Sequence, residues 1–401
     1  MGKKQPVIIC IGFPSWDTNY TKSTMELMKV ISSQIPVVYV NYPFTMIDVV
    51  RGILGKKKLP LTEILKNPHQ KTFQYDKGEV TVLYPPPFLP NQFLSKGKWF
   101  DYFSRINARM LTRRLENHLT KCELQPLAVI NAFNPFVGAY YPEDFQKKYP
   151  QYYYCYDEIK LTQWSGKHGG YLEEQFLMQT AAHFFSSKPL LQTKSKKEIP
   201  AFLVQNGVDY DLFHQAFCRV SDRSSTPSAF YIGAIDDRLD YPLLADLIGQ
   251  LKHWKFHFFG PIKSEHFQLL LAQNKNLHYE GNMDAQEIPA KIRDFHIGLI
   301  PFVHNDFTKN IYPLKINEYL AAGKQVVSTD FGDLKDFEQT IYISQNREQF
   351  ASACQKAMEE LTEERIAKNA AFAANNSWQH RGAVFLESIM QLAKQHEQIP
   401  Y

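Results

Sequence analysis

The sequence predicts an α/β protein of two successive parallel-sheet domains, and two observations carry that expectation. At 401 residues the chain exceeds the size at which a single core keeps growing. Short apolar runs alternate with helical patterns through both halves, as expected of parallel strands joined by right-handed crossovers.

In the first half, 7–11 reads as a strand, an apolar run ended by Gly12 and Pro14. A helix follows at 23–33, with strands at 37–41 and 80–84. Residues 99–120 form a long helix, 127–131 and 152–156 two more strands, and 170–182 a helix leading to 183–186. Residues 218–228, rich in serine and charge, read as a surface excursion. A second alternating set follows, with strands at 229–232, 255–259, 277–280, 296–300 and 325–328. Helices are expected at 241–252, 264–273, 285–293, after Pro313, at 347–361 and at 379–395. No internal repeat or low-complexity tract interrupts the pattern. In open parallel sheets ligands sit beyond the carboxyl ends of the strands.

A hydrophobic content of 44% with 21% charge fits a folded globular protein. A net charge of +4 gives no argument for nucleic acid. The five cysteines lie far apart without a Cys-x-x-Cys pair, which speaks against a zinc site or disulfide framework and for a reducing, cytoplasmic setting. Among the thirteen histidines only His253 and His257 are four apart, and no His-Glu-x-x-His motif occurs, so no metal is expected. No apolar run approaches the roughly 20 residues that span a bilayer. Lys3-Lys4 ahead of the apolar run imitates a signal peptide, but the run is short and reads as a first strand.

The most informative stretch is 298–329, read as strand, loop, helix, strand. Pro313 opens the helix and Gly323 closes it. Lys315 and Glu318 are three apart and share a face near the helix's positive end. A lysine there can neutralise phosphate, and a glutamate one turn further in can accept two hydrogen bonds from a vicinal diol such as ribose. Phosphate with ribose means a nucleotide.

Pro313, Lys315, Glu318-Tyr319-Leu320-Ala321, Gly323-Lys324 and Val326-Val327 resemble the donor-site helix of GT-B glycosyltransferases, especially the bacterial family-four, or group 1, enzymes of surface polysaccharide synthesis. Many of these carry two glutamates eight apart; Glu318 matches the second and Asn310 stands where the first would be. Residues 202–209 are similar to the family's hinge segment, with Gln205 in place of proline. The resemblance implies two Rossmann-like domains facing across a cleft: 1–204 for the acceptor, 205–378 for the nucleotide sugar, and a helix in 379–401 crossing back to the first domain. It implies donor contacts from Glu318, Lys315, Asn310, Tyr312 and Pro313, and from the strand-end loops at Gly233, Gly260 and Asn282-Met283. Arg238 is the candidate phosphate partner in the Gly233 loop, with pairing to Asp236, Asp237 or Asp240 as the alternative.

For the acceptor, Asp157 and Glu158 end a strand whose text resembles a strand end in some bacterial GT-B sugar transferases. A carboxylate there can act as general base on the acceptor hydroxyl. Asp17, after the first strand, is the third candidate, beside Trp16, which can stack on a sugar or pack. His168, between Lys167 and Gly169, reads as a loop residue with a catalytic role as the lesser alternative. The apolar stretch 44–54 runs into Lys56-Lys57-Lys58 and resembles an interfacial segment for anionic lipid. The expectation is therefore a hexosyltransferase that moves sugar from a UDP- or GDP-sugar to a glycan or lipid-linked hydroxyl. It would need no cofactor or metal, and would lie in the cytoplasm or peripherally at the inner membrane face. The rival expectations are a nucleotide-sugar epimerase on the same fold and a catalytically inactive GT-B partner subunit.

Overall fold

The structure is a computed structural model that describes residues 4–17, 22–162 and 165–397; Lys3 of the signal-like start lies outside them. The chain divides into two compact units. One comprises the residues up to Gln205 together with those from Arg381 on, and the other is Asn206–His380.

The first unit is built on β1 (Gln5–Gly12), β2 (Val37–Val40), β3 (Gln70–Tyr75), β4 (Gly78–Leu83), β5 (Leu124–Ala132), β6 (Gln151–Cys155), β7 (Ala182–Phe185) and β8 (Ala201–Leu203). Their order in the sheet is β3-β4-β2-β1-β5-β6-β7-β8. All neighbours are parallel except the β3–β4 hairpin. Residues 7–11 of β1 and all of β2, β6 and β7 are buried, as continuous apolar runs covered on both faces must be. The hairpin is an addition to the sequence expectation, which had only a strand at 80–84. β3 alternates polar and half-buried residues at a sheet edge, so it lacks the apolar run that marks the central strands.

The second unit is built on β9 (Ser228–Ile232), β10 (Lys255–Phe259), β11 (Leu277–Gly281), β12 (Ile297–Ile300), β13 (Gln325–Thr329) and β14 (Tyr342–Ser344). The order β11-β10-β9-β12-β13-β14 is the doubly wound dinucleotide-binding order 3-2-1-4-5-6, with its switch point between β9 and β12. The expected helix at 347–361 is Phe350–Glu359, and a further helix, Glu363–Ala374, packs against Leu314–Ala321.

The surface excursion expected at 218–228 is present in part: Arg219, Ser221, Asp222, Ser224 and Ser225 are exposed. Cys218 and Arg223 instead turn inward, and Arg223 donates to the carbonyls of Gly323 and Phe295. Its charge is spent on closing the loop against the sheet rather than facing water.

The last helix, Trp378–Glu397, begins in the second unit, where Trp378 packs on Gly207. It ends in the first, with Phe385 against Tyr154 and Phe184 at 5.6 and 4.6 Å and Gly382 against Val30. The helix thus returns to the N-terminal unit.

Gly298 in β12 lies under the ring of Tyr319, where a Cβ would come within 2.1 Å of the ring. Gly298→Ala is therefore expected to lower stability by about 1–3 kcal/mol through overpacking. A thermal melting midpoint equal to wild type would show that the ring moves aside freely.

Candidate functional site

The helix Leu314–Ala321 runs between β12 and β13, so its N-terminal turn lies at the carboxyl end of the sheet. Pro313 occupies the N-cap position rather than the first helical turn, and no side chain caps the helix. The helix ends in a Schellman arrangement: Lys324 N–H bonds to the Tyr319 carbonyl and Gly323 N–H to the Leu320 carbonyl, both at 2.9 Å. Gly323, at φ 68°, supplies the left-handed residue this requires. Lys324 itself is fully buried and donates to the Arg293 and Ala216 carbonyls. Burial pushes its ammonium down to about 7.

Tyr319 fixes the helix to the switch point. Its hydroxyl accepts the N–H of Ile232, the last residue of β9, at 2.9 Å, and its ring packs edge-on to Phe230 at 4.8 Å. The next side chain up the helix is Glu318, 7% exposed, paired with Lys315 at 2.8 Å. Burial raises the Glu318 carboxyl above its ordinary range against the opposing pull of Lys315. A carboxylate held in a desolvated place by one lysine is costly in a resting protein. It suits a ligand that brings hydroxyl donors to one group and negative charge to the other. Asn317, between them, is fully buried, and neither end of its amide has a partner among the described residues.

The other expected donor contacts are arranged as follows. Gly233 and Gly260 follow β9 and β10 and Gly281 ends the neighbouring β11, all with positive φ, and a Cβ on Gly260 would stand 2.1 Å from the Gly233 carbonyl oxygen. Backbone thus approaches backbone between the ends of β9 and β10, while at Gly281 the positive φ alone favours glycine. Asn282 is exposed and Met283 packs partly on the core. Asn310 is buried and its amide donates to the Asp306 carbonyl at 2.8 Å. Tyr312 is buried with its ring against Phe337. Arg238 makes a two-pronged contact with Asp236 at 2.8 and 2.9 Å, so the pairing alternative raised for this loop is present.

In the first unit the strand ends also gather polar groups. Asp17, after β1, accepts from Tyr84 at 2.8 Å, from Asn41 at 2.8 Å and from Ser15 at 3.3 Å. The ends of β2 and β4 and its own loop therefore orient one carboxylate. Trp16 is buried against Tyr39 at 4.7 Å and donates to Tyr75, so it packs rather than offering a sugar platform. Asp157 and Glu158 follow β6 and are partly buried. Glu158 caps the turn Ile159–Leu161 and pairs with Lys194 at 3.0 Å. Lys194 also reaches the fully buried Glu173 at 2.6 Å, which accepts from Tyr153 at 2.8 Å. Burial raises the Glu173 carboxyl, with Lys194 working against it. His168 is buried, stacked on Phe100 at 4.0 Å and bonded to Tyr171 and the Leu94 carbonyl, so it is a packing residue.

Sequence reasoning missed Tyr319 as the anchor, Asn41 and Tyr84 as partners of Asp17, and the Glu173–Lys194 pair. No local pattern marks them, since each partner lies 21 to 87 residues away.

Two parallel-sheet Rossmann-like units and a C-terminal helix returning to the first define the GT-B glycosyltransferase fold. Residues 226–360 match the family described as Glycosyl transferases group 1, which includes the 314–321 helix and the three strand-end glycines. The chain is 28% identical over 200 residues to the putative teichuronic acid biosynthesis glycosyltransferase TuaH of Bacillus subtilis (strain 168). That alignment covers 45% of this chain and about half, 50%, of the relative. Among solved structures, sucrose-phosphate synthase of Thermosynechococcus elongatus matches with a TM-score of 0.68 at 12% identity, over 97% of this chain and 99% of that one. The α,α-trehalose 6-phosphate synthase of Burkholderia multivorans matches at 0.67 and 10% identity, over 98% and 100%. A trehalose-6-phosphate protein of E. coli bound with UDP-2-fluoro glucose matches at 0.63 and 10% identity, over 96% and 99%. At these identities the structures speak for the fold alone. No helix among the described residues is long and apolar enough to cross a membrane.

Proposed function

We propose that the protein is a glycosyltransferase that moves a sugar from a nucleoside-diphosphate sugar to a hydroxyl of a glycan or lipid-linked acceptor in bacterial surface polysaccharide synthesis. The observation that carries this reading is the buried Glu318 carboxylate beside Lys315, on an uncapped helix turn at the switch point of a dinucleotide-binding sheet. Glu318 accepts the two ribose hydroxyls. Lys315 leaves its pair with Glu318 to meet the diphosphate, together with the free amides and dipole of the helix terminus. The strand-end glycines let backbone come close to the nucleotide. The setting in surface polysaccharide follows the name of the B. subtilis relative, and a uridine donor follows the ligand of the E. coli neighbour.

On the acceptor side Asp157 is the general base if the product is inverted. Glu158 is paired with Lys194, and Asp17 accepts three hydrogen bonds that fix its orientation. Asp17 then orients the acceptor. With charge on the diphosphate met by Lys315 and the helix terminus, the reaction proceeds without a divalent ion. Purified protein incubated with excess EDTA should retain its transfer rate; loss restored by magnesium or manganese would oppose this.

The test of the reading is nucleotide affinity by calorimetry. Glu318→Gln should weaken UDP- or GDP-sugar binding by about 1.5–3 kcal/mol, the worth of charged hydrogen bonds. Because burial raises the Glu318 carboxyl, it takes up a proton at a higher pH than the ordinary value near 4.3. Wild-type affinity should therefore fall on acidification before pH reaches that range, and Glu318→Gln should remove this dependence. Unchanged affinity in a folded Glu318→Gln protein would sink the assignment. Transfer to an acceptor, rather than isomerisation of the donor or no turnover at all, separates a transferase from an epimerase or an inactive partner subunit.

If the product anomer is inverted, Asp157→Asn should cut turnover by about 10²–10⁴-fold with donor affinity intact. Near-normal turnover would move the role of base to Asp17 or Glu158, assayed in parallel as Asp17→Asn and Glu158→Gln.

A further inference from the structure

The helix Met46–Ile53 presents an apolar face to solvent. Met46, Ile47, Val50 and Ile53 are 46–63% exposed, and Leu54, one residue past its end, is 62% exposed. At 3.6 residues per turn these positions form one stripe. The opposite side is already occupied: Val49 is buried, and Gly52 faces Leu59 and Leu61. The helix therefore cannot hide its outer stripe by rolling over. It is also preformed, since Thr45 and Asp48 make a complete capping box. Ordering it costs a partner nothing.

We propose that this face docks the first unit onto the surface of an anionic lipid bilayer. The charges decide the occupant. Arg51, Lys56, Lys57 and Lys58 border the stripe, against the single acid Asp48 in 44–58. Asp48 is consumed by the capping box and by Lys57 at 2.6 Å, which leaves Arg51, Lys56 and Lys58 exposed. Protein interfaces are poor in lysine and rich in aromatics. This stripe is aliphatic with a lysine border, the composition of a helix lying at a lipid headgroup boundary.

Topology places the surface where an acceptor would be used. The segment leaves β2 at its carboxyl end, and β1, β2, β4, β5 and β6 are mutually parallel. Asp17, after β1, and Asp157, after β6, lie at that same end. The segment after β4 emerges there too, bonded to the 46–53 segment through Met46 N–H to the Phe88 carbonyl and Phe88 N–H to the Phe44 carbonyl, both at 2.9 Å. A bilayer on this face therefore brings lipid headgroups to the end of the sheet that carries the acceptor-side carboxylates.

The experiment is vesicle flotation of the full chain with phosphatidylcholine vesicles, with and without phosphatidylglycerol, at low and high salt. Binding should require phosphatidylglycerol and fall with salt. It should drop by at least about tenfold in the Ile47→Ser/Val50→Ser/Ile53→Ser variant, which loses buried apolar area. It should drop by about fivefold per charge removed in Arg51→Gln, Lys56→Gln and Lys58→Gln. All the substituted side chains are exposed, and an unchanged melting midpoint certifies their folding. Absence of wild-type binding to anionic vesicles at low salt would overturn the proposal. So would equal binding by the apolar variant. An Ile53→Glu variant that converts a dimer to a monomer in light scattering, with vesicle binding unchanged, would assign the face to a second copy instead. The readout is lipid binding alone, so it stands or falls independently of sugar transfer.

Discussion

The hydrogen bond from the Ile232 amide to the Tyr319 hydroxyl sets the position of everything chemical in the second unit. It joins the end of β9 to the middle of the 314–321 helix, across the switch point. Glycine at 298 makes room for the ring, and the Schellman turn at Gly323 returns the chain to β13 in register with β12. With the ring seated, the preceding residue, Glu318, has one place to go, and Lys315 one turn earlier lies over it. The expensive element, a carboxylate out of water, is thus positioned by a cheap one, an aromatic hydroxyl at a strand end. Functional sites commonly rest on such support, because a reactive group can be no more precise than the packing behind it.

How legible each part was depends on how local its causes are. The 314–321 helix was readable because its start, stop and flanking strands lie within thirty-odd residues, each with its own signal in Pro313, Gly323 and Val326-Val327. Lys315 and Glu318 share a face by spacing alone. Tyr319 looked like any aromatic in an amphipathic helix. Its meaning depends on Ile232, which lies 87 residues earlier. The Glu173–Lys194 pair was hidden for the same reason, since its members lie 21 residues apart on separate elements. Arg223 misled in the opposite direction, since a charged, serine-rich segment reads as solvated while its guanidinium closes two backbone carbonyls indoors. The β3–β4 hairpin was invisible because an edge strand does not need the apolar run by which central strands announce themselves.

The two units share a layout but give their carboxylates different surroundings. Each sheet brings several strand ends together, and each places a carboxylate there. In the second unit the carboxylate is buried and held by one lysine. In the first, Asp17 is exposed but held by donors from the ends of β2 and β4, and Glu158 is tied to a buried lysine. Burial prepares a group to meet a ligand that replaces its lost hydration, whereas hydrogen bonding at the surface prepares it to hold a substrate in one orientation. The roles proposed for the carboxylates rest on these environments rather than on residue type.

The path of the chain also dictates an order of assembly. Asn206–His380 is contiguous, whereas the unit around β1–β8 includes the helix segment whose Phe385 fills a space beside Tyr154 and Phe184. As the polypeptide leaves the ribosome, the middle of the protein can therefore complete its core while the earlier part still waits for its final piece. Until then two aromatic rings of the central strands lack their cover. A released chain truncated before residue 381 would carry one finished body and one with an open apolar seam. Such a seam is the kind of surface that chaperones hold and that drives aggregation when they do not.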